Sequence, residues 1–284
     1  MVLIVDSGAT KSDWIALDED GNQLFMTQTL GLSPEVLTRE IIDERLANNF
    51  ELSKHRKEIS RLFFYGAGCG TIRMKNYLTD IFQAYFVNAE ISVKEDTYAA
   101  AYATTAPDEQ AVVCILGTGS NCCYFDGNQL YQKVHSLGYI LMDDCSGNYF
   151  GRQLIRDFYF NKMPLQLVKK FEQEYDLDAD VIKNNLYKQP NPNTYLATFA
   201  KFIIQNKNED YCQKLIKKGA QLFIDNFIRQ FKEAEHVPVN FVGSIAYYLQ
   251  DELRAILKEN NLKPGNILRR PIDGLVKYHQ AVFH

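Results

Sequence analysis

Short apolar runs separated by polar turns open the chain. Residues 2–5 are apolar and end at an aspartate, residues 14–17 form a second run, and residues 23–28 form a third. Short runs bounded by Gly, Asn and Asp are typical of β-strands. The Asp20-Gly-Asn22 segment between the second and third runs predicts a hairpin turn. The first thirty or so residues are therefore predicted to form a three-stranded meander.

The same order of runs and turns returns later in the chain. Residues 111–116 are apolar, Gly117-Thr-Gly-Ser120 forms a turn, and two further runs flank Asp126-Gly-Asn128. The pentapeptide Asp-Gly-Asn-Gln-Leu occurs at both 20–24 and 126–130. A repeat of about 100 residues is longer than solenoid units, which span roughly 20–50 residues. The repeat predicts two duplicated domains, and the alternative is that two unrelated meanders share a common turn sequence.

The remaining segments alternate between helical and strand-like patterns. In the first half we predict helices at 33–49, 72–86 and 97–104 and strands at 62–65 and 89–93. In the second half we predict a long helical region at 146–234, strands at 239–242 and 266–269, and helices at 246–258 and 274–283. Meanders combined with βαβ crossovers predict an α/β fold, with mixed sheets flanked by helices. We expect one domain at 1–106 and a second at 107–284, with a helical insertion at about 150–235.

Composition and charge narrow the classes of function. Of the 284 residues, 46% are hydrophobic and 23% charged, and the formal net charge is −4, which argues against nucleic acid or an anionic membrane as the main partner. No apolar run is long enough to cross a membrane, and the N-terminus lacks the basic segment of a signal peptide. The six cysteines form no Cys-x-x-Cys motif, so we expect a reducing, cytoplasmic location without a zinc site or disulfide framework.

The two glycine-bearing turns carry the first candidate chemistry. Asp6-Ser-Gly-Ala-Thr-Lys11 combines a carboxylate at a strand end, a glycine, a hydroxyl group and a positive charge suited to phosphate. Gly117-Thr-Gly-Ser-Asn121 offers backbone N–H groups for an anion, although it is neither a P-loop nor a Rossmann fingerprint. Each turn could also be an ordinary hairpin turn, and the matching positions in the two halves favour phosphate binding.

Three further sites lie at the predicted starts of helices. Asp96 begins a helix at the carboxyl end of a strand, where open α/β sheets collect ligands, and it could equally be the N-cap of that helix. Asp143 and Asp144 precede a helix, and they could serve Mg²⁺, bind sugar hydroxyls or simply favour the helix start. Gly243-Ser244 could accommodate adenosine or be an ordinary strand-to-helix turn.

Taken in order, these motifs resemble the acetate and sugar kinase/Hsp70/actin superfamily. The motifs are Asp6-x-Gly-x-Thr-Lys, Asp96, Gly117-Thr-Gly-Ser-Asn, Asp143 and Gly243-Ser. Within it, the chain is similar to N-acetylglucosamine kinase-like proteins and to the BadF/BcrA-type ATPases that activate 2-hydroxyacyl-CoA dehydratases. The resemblance covers nearly the whole length and implies two ribonuclease H-like (actin-like ATPase) domains with mixed five-stranded sheets.

The resemblance also implies a role for each candidate residue. ATP and Mg²⁺ would be the cofactors, with Asp6 near the metal and Asp96 as the catalytic base. The residues implied in ATP and phosphate binding are Gly8, Thr10, Lys11, Gly117, Thr118, Gly119, Ser120, Gly243 and Ser244. Those implied in substrate binding are Ser33, Gly68, Asn121 and Asp143. The implied activity is transfer of the γ-phosphate of ATP to a hydroxyl of an amino sugar resembling N-acetylglucosamine, and a homodimer is compatible with it.

Several departures from the family pattern affect residues near the implied sugar-binding site. The family usually has Gly-Asp-Glu-Gly-Ser-Gly where this chain has Met142-Asp-Asp-Cys-Ser-Gly147, and Cys145 is expected to lack the backbone freedom of glycine. Ser33-Pro34-Glu35 occupies the region where an asparagine commonly reaches the sugar. The alternatives are therefore a non-catalytic or sensor protein that keeps the ATP-binding fold, and an activator-type ATPase with a shared Fe–S cluster.

Overall fold

The computed structural model describes residues 1–8, 11–106 and 108–283. The strands are β1 (Val2–Ser7), β2 (Lys11–Leu17), β3 (Gln23–Leu30), β4 (Arg61–Gly66), β5 (Glu90–Glu95), β6 (Ala111–Leu116), β7 (Ser120–Phe125), β8 (Leu130–Tyr131), β9 (Pro238–Val242) and β10 (Lys263–Leu268). The α-helices are α1 (Arg39–Ala47), α2 (Phe50–His55), α3 (Ile72–Tyr85), α4 (Asp96–Thr104), α5 (Gly147–Tyr159), α6 (Leu165–Glu174), α7 (Ala179–Tyr187), α8 (Pro192–Thr198), α9 (Ala200–Gln205), α10 (Asp210–Asn226), α11 (Ser244–Tyr248), α12 (Gln250–Glu259) and α13 (Pro271–Phe283).

The chain divides into two compact units. The first contains Met1–Pro107 together with Arg270–His284, and the second contains Asp108–Arg269. This division gives the last helix to the first unit, which differs from the predicted assignment of 107–284 to a single domain. The reason is local packing: Gly274 of α13 lies so close to α4 that a Cβ there would be 2.5 Å from the Ala103 carbonyl oxygen.

The sheet of the first unit has the strand order β3-β2-β1-β4-β5. The first three strands form the predicted antiparallel meander. β4 pairs in parallel with β1, and β5 pairs in parallel with β4. Trp14, Phe64, Phe82 and Phe86 are fully buried in the core of this unit. Parallel pairing brings the carboxyl ends of β1, β4 and β5 to one edge of the sheet, where Asp6 and Asp96 lie.

The second unit repeats this topology, with the strand order β8-β7-β6-β9-β10. The strands β6, β7 and β8 form the meander. β9 pairs in parallel with β6, and β10 pairs in parallel with β9. Helices α5 to α10 occupy the region where the long helical insertion was predicted. The predicted fold class, two mixed five-stranded sheets flanked by helices, is confirmed.

Some predicted elements were wrong in their bounds. The helix expected from residue 33 begins only at Arg39, and the short helix α2 that follows it was not predicted. Asp96 was considered as the N-cap of α4, but it is the first residue of that helix. Glu95 occupies the N-cap position, and its side chain makes no capping hydrogen bond. The helix expected at 246–258 is divided into α11 and α12. Within the described residues, no helix is both long and apolar enough to cross a membrane.

Candidate functional site

The first glycine-bearing turn joins β1 to β2. The Gly8 N–H donates to the Lys11 carbonyl oxygen at 2.9 Å, and a Cβ at Gly8 would make only an ordinary contact, so packing does not require glycine there. The Lys11 ammonium group is half-exposed and lies 2.9 Å from the buried Asp13 carboxylate. Thr10, which the sequence assigns to the same turn, lies outside the described residues. The turn therefore offers an exposed glycine beside a cation held by an ion pair.

Asp6 is the second-last residue of β1 and lies near other charged groups of the first unit. Burial, followed by repulsion from Asp96 and Asp13, raises the pKa of Asp6 to about 7. The positive charges of Lys11 and Arg270 oppose this rise. The rise means that the Asp6 carboxylate is held at an energetic cost that a nearby cation would relieve.

The donor set around Asp6 fits one kind of metal site. The described residues contain no group of three or more His, Cys, Asp or Glu that could hold a metal ion. The nearby Asp13 carboxylate already accepts from Gln28 at 2.7 Å and pairs with Lys11. A single free carboxylate fits Mg²⁺, which keeps several waters and usually binds one or two carboxylates together with substrate phosphates. Asp6 therefore suits a metal that arrives with a nucleotide.

Asp96 lies at the carboxyl end of β5 and at the start of α4. Burial, followed by the negative charge of Glu95, raises the pKa of Asp96 to about 6. The backbone N–H groups of Asp96 and Thr97 hydrogen-bond the carboxylate and limit the shift. A carboxylate with this pKa is largely ionised at neutral pH and still basic enough to accept a proton.

Two residues assigned to substrate binding lie together in the first unit. Ser33 is buried, and its carbonyl oxygen accepts from Val36 and Leu37, so Ser33 begins a turn and not the predicted helix. Gly68 has a positive φ of 81°, and a Cβ there would lie 2.6 Å from the Ser33 hydroxyl. Glycine is therefore required at 68 by its backbone conformation and by the close approach of Ser33.

The second glycine-bearing turn joins β6 to β7 and packs against the start of α5. The N–H groups of Gly147 and Asn148 donate to the carbonyl oxygens of Gly117 and Thr118 at 2.8 and 3.0 Å. Since the peptide is planar and trans, the N–H groups of Thr118 and Gly119 point away from α5. Adjacent N–H groups that point the same way form an anion-binding nest. The hydrogen bonds from the helix start therefore direct the N–H groups of Thr118 and Gly119 away from α5, as an anion-binding nest would require.

The residues that follow this turn were assigned to phosphate and to substrate. The Ser120 hydroxyl is buried and has no hydrogen-bond partner within the described chain. The Asn121 side-chain oxygen accepts from the backbone of Cys122 at 2.8 Å. The Cys122 thiol is buried 3.6 Å from the Cys114 sulfur, and all six cysteines are buried and free, which does not favour a cluster shared with a second subunit.

Asp143 lies in the loop before α5 and is almost completely buried. It adopts a left-handed conformation with φ 65°, and its Oδ2 accepts from the Asn148 amide at 2.9 Å. A Cβ at Gly119 would lie 2.7 Å from the same carboxylate oxygen, so the carboxylate packs directly on the second turn. Cys145 is also left-handed, with φ 60°, so this loop keeps the conformation that a glycine would favour despite the substitution. The structure therefore places Asp143 beside the turn.

Gly243 follows β9 directly, as the N-cap of α11, and lies against the same turn. Its φ is 121°, and a Cβ there would collide with the Leu116 carbonyl oxygen and approach the Gly117 nitrogen to 3.1 Å. The Gly243 N–H donates to the Leu268 carbonyl oxygen at 2.9 Å, and α11 begins at Ser244. The second unit thus brings the proposed adenosine motif next to the proposed phosphate turn.

Sequence reasoning missed two polar residues of these sites. Asp13, the buried partner of Lys11, belonged to no motif, although a charged residue directly before the apolar run at 14–17 was a signal. Asn148 contacts both Asp143 and the second turn. It could have been noticed in the sequence as a polar residue in the first turn of the helix that begins after Ser146. Neither position belongs to the family pattern on which the assignments rested.

Comparison with known proteins supplies the family. No family model and no curated protein matches the chain. The structure of a putative N-acetylglucosamine kinase from Porphyromonas gingivalis is 34% identical, with 99% of each chain covered and a TM-score of 0.93. A protein of the same description from Chromobacterium violaceum is 15% identical, with 98% of each chain covered and a TM-score of 0.71.

A more distant structure supports the fold alone. A ROK family glucokinase from Streptomyces griseus, solved with glucose and AMPPNP, is 13% identical, with 97% of each chain covered and a TM-score of 0.60. The specific link to BadF/BcrA-type ATPases stays a prediction. At 34% identity over almost its whole length, the chain belongs to the N-acetylglucosamine kinase-like family of the actin-like ATPase fold, together with the P. gingivalis protein.

Proposed function

We propose that this chain is an ATP-dependent phosphotransferase that transfers the γ-phosphate to a hydroxyl group of an amino sugar resembling N-acetylglucosamine. The observation that carries the proposal is the 34% identity, over 99% of both chains, to the P. gingivalis protein described as such a kinase. The anion-binding geometry of the turn at Gly117 supports the nucleotide part of the proposal.

Each unit contains candidate ATP-binding groups. In the first unit, Gly8 and Lys11 would contact phosphate, and Asp6 would hold Mg²⁺. When bound, the metal ion would neutralise phosphate charge, which is a large part of catalysis in phosphoryl transfer. In the second unit, the N–H groups of the turn at 117–120 would contact phosphate, while Gly243 and Ser244 would contact adenosine.

Asp96 would act on the sugar. Its carboxylate would accept the proton of the attacking hydroxyl while that oxygen forms a bond to the γ-phosphorus and ADP leaves. Substrate contacts would come from Ser33 and Gly68 in the first unit and from Asn121 and Asp143 in the second. Because phosphoryl transfer depends mainly on positioning and charge, these contacts would determine which hydroxyl group reacts.

A coupled ADP-release assay tests the proposal. Purified protein with Mg²⁺ and ATP is offered amino sugars, N-acetylated amino sugars and plain hexoses, and we expect ADP release that depends on one N-acetylated sugar. Asp96→Asn should keep ATP binding and lower turnover by about 10²–10⁴-fold, which is the usual contribution of a general base. The matched control is Asp80→Asn on the exposed face of α3. Sugar binding without ADP release would instead support the non-catalytic sensor.

A further inference from the structure

Asn148 joins three parts of the second unit through one residue. Its backbone N–H donates to the Thr118 carbonyl oxygen at 3.0 Å. Its side-chain Nδ2 donates to Asp143 Oδ2 at 2.9 Å, and its Oδ1 accepts from the Ser146 hydroxyl at 2.8 Å. Asn148 is 2% exposed, so water does not compete for these bonds. The residue therefore connects the second glycine-bearing turn to the Asp143 carboxylate.

The neighbours of Asn148 leave only one orientation for its amide group. The Ser146 oxygen accepts from the Tyr149 N–H at 3.2 Å as the N-cap of α5, so the hydroxyl proton is free to point to Asn148 Oδ1. On the other side, an ionised carboxylate can only accept, so the amide nitrogen must face Asp143. A polar group satisfied in this way on both sides is held rigidly.

This contact selects which oxygen of Asp143 is left for a ligand. Oδ2 is engaged by Asn148 and packs on Gly119, whereas the described residues provide no hydrogen bond to Oδ1. The backbone of Asp143 is left-handed, a conformation that a non-glycine residue keeps only when its surroundings fix it. The bond from Asn148 is one of the contacts that fix it.

We propose that Asn148 is a positioning residue that holds the Asp143 carboxylate with Oδ1 turned toward the sugar hydroxyl groups. The inference rests on the proposed function in one respect, namely that Asp143 contacts the sugar. The family pattern in this segment ends at the glycine before Asn148, so the role comes from the contacts of this chain alone.

Steady-state kinetics of Asn148→Ala test the proposal. The variant loses both side-chain bonds but keeps the backbone bond to Thr118, so the second turn stays in place. We expect the sugar KM to rise by about tenfold or more, because a hydrogen bond to a charged group becomes misdirected, while the KM for ATP changes by less than about twofold. Equal changes in both KM values, or no change in either, would overturn the proposal.

The matched control is Asn226→Ala. The Asn226 amide donates to Asp144 Oδ2 at 2.9 Å, so this variant removes the same kind of bond from the carboxylate next to Asp143. Asn226 is exposed, and we expect the sugar KM of this variant to stay at the wild-type value. A rise in the sugar KM equal to that of Asn148→Ala would show a general loosening of the loop and would contradict a specific role for Asn148.

Asn148→Asp gives a second readout at nearly unchanged shape. Above neutral pH, two carboxylates would face each other and the sugar KM should rise at least as far as in Asn148→Ala. At lower pH the pair would share one proton, which restores a donor to Asp143, so the sugar KM should recover toward the wild-type value. A KM that stays high at all pH values would contradict the role of the donor.

Hydrogen exchange separates failure of this inference from failure of the proposed function. If none of the tested sugars stimulates ADP release by the wild-type protein, the proposed function fails. Amide exchange of the segment 138–147 still tests the role of Asn148 in that case. Faster exchange in Asn148→Ala than in Asn226→Ala would support the positioning role. Equal exchange in the two variants, with both folded by thermal unfolding, would overturn it.

Discussion

His279 allows a quantitative prediction about stability, because its surroundings in the first unit hold it neutral. The side chain is 4% exposed, its Nε2 lies 2.9 Å from the Tyr65 hydroxyl, and its ring lies 4.3 Å from that of Phe63. Burial, followed by the positive charges of Lys94 and Arg61, lowers the pKa of His279 from 6.5 to about 4. Protonation of His279 is therefore much easier in the unfolded chain.

The pKa shift fixes the sign and size of the effect. Because the unfolded chain binds the proton more tightly, the stabilising contribution is complete above pH 6.5 and is lost as the pH falls toward 4. With these two pKa values, lowering the pH from about 7.5 to about 5.5 should cost the native state about 1.3 kcal/mol. At still lower pH the loss approaches about 3 kcal/mol.

Other groups of the first unit would mask this effect in the wild-type protein. The raised pKa values of Asp6 and Asp96 have the opposite sign, since the native state binds their protons more tightly and gains stability as the pH falls. A comparison between variants isolates the contribution of His279. His279→Gln should lose about 1.3 kcal/mol less than the wild type between the two pH values, although it is less stable than the wild type at neutral pH.

Urea denaturation followed by tryptophan fluorescence measures this difference. Trp14 is the only tryptophan and is fully buried in the first unit, so its signal reports the unit that contains His279. The control is His236→Gln, which removes an exposed histidine and should keep the pH dependence of the wild type. If His279→Gln and the wild type lose the same free energy of unfolding between the two pH values, the account of His279 is refuted.

Three further predictions concern the candidate site. Under the proposed function, kcat/KM of the wild-type protein for the sugar should fall below about pH 6 in steady-state assays, because the proposed base Asp96, with that pKa, becomes protonated. Gly243→Ala should lower the thermal unfolding midpoint more than Gly138→Ala; both positions have positive φ, but only at 243 would the Cβ collide with backbone. Gly119→Ala should raise the sugar KM, because the added Cβ would lie 2.7 Å from Asp143 Oδ2. Gly117→Ala should raise the sugar KM less, because a Cβ there would have no neighbouring atom within 4 Å.

The sheets could be predicted because their signals are local. Apolar runs, glycine turns and the order of elements identified both meanders, and each meander formed with the predicted topology. The repeated pentapeptide was less exact as a guide than the order of runs. In the first hairpin the Asp18 carboxylate, which lies before the pentapeptide, accepts from the backbone N–H groups of Asp20 and Asn22. In the second hairpin the accepting carboxylate is Asp126, the first residue of the pentapeptide, and the donor is the backbone N–H of Asn128. The two turns therefore differ in length although their sequences match.

Elements that depend on distant contacts could not be predicted. Ser33-Pro34 has the local signature of a helix start, but Ser33 is buried against Gly68, and this contact determines the turn. Similarly, no local pattern indicates that the last helix packs on α4, because that contact joins Gly274 to Ala103. At the candidate site, the residue types at the turns could be read from the sequence, whereas the buried partner Asn148 required the folded structure.

The loop at 142–147 shows how a departure from the family pattern can leave a site's geometry in place. Cys145 was expected to restrict the backbone, yet it takes the left-handed conformation at a cost of about 1–3 kcal/mol. Its fully buried side chain packs in the core of the second unit, and this burial offsets part of that cost. The Met142 sulfur accepts a hydrogen bond from the Leu137 N–H at 3.3 Å. These substitutions therefore change what fills the loop, while Asp143 keeps its contacts with Gly119 and Asn148, so they do not by themselves favour a non-catalytic protein.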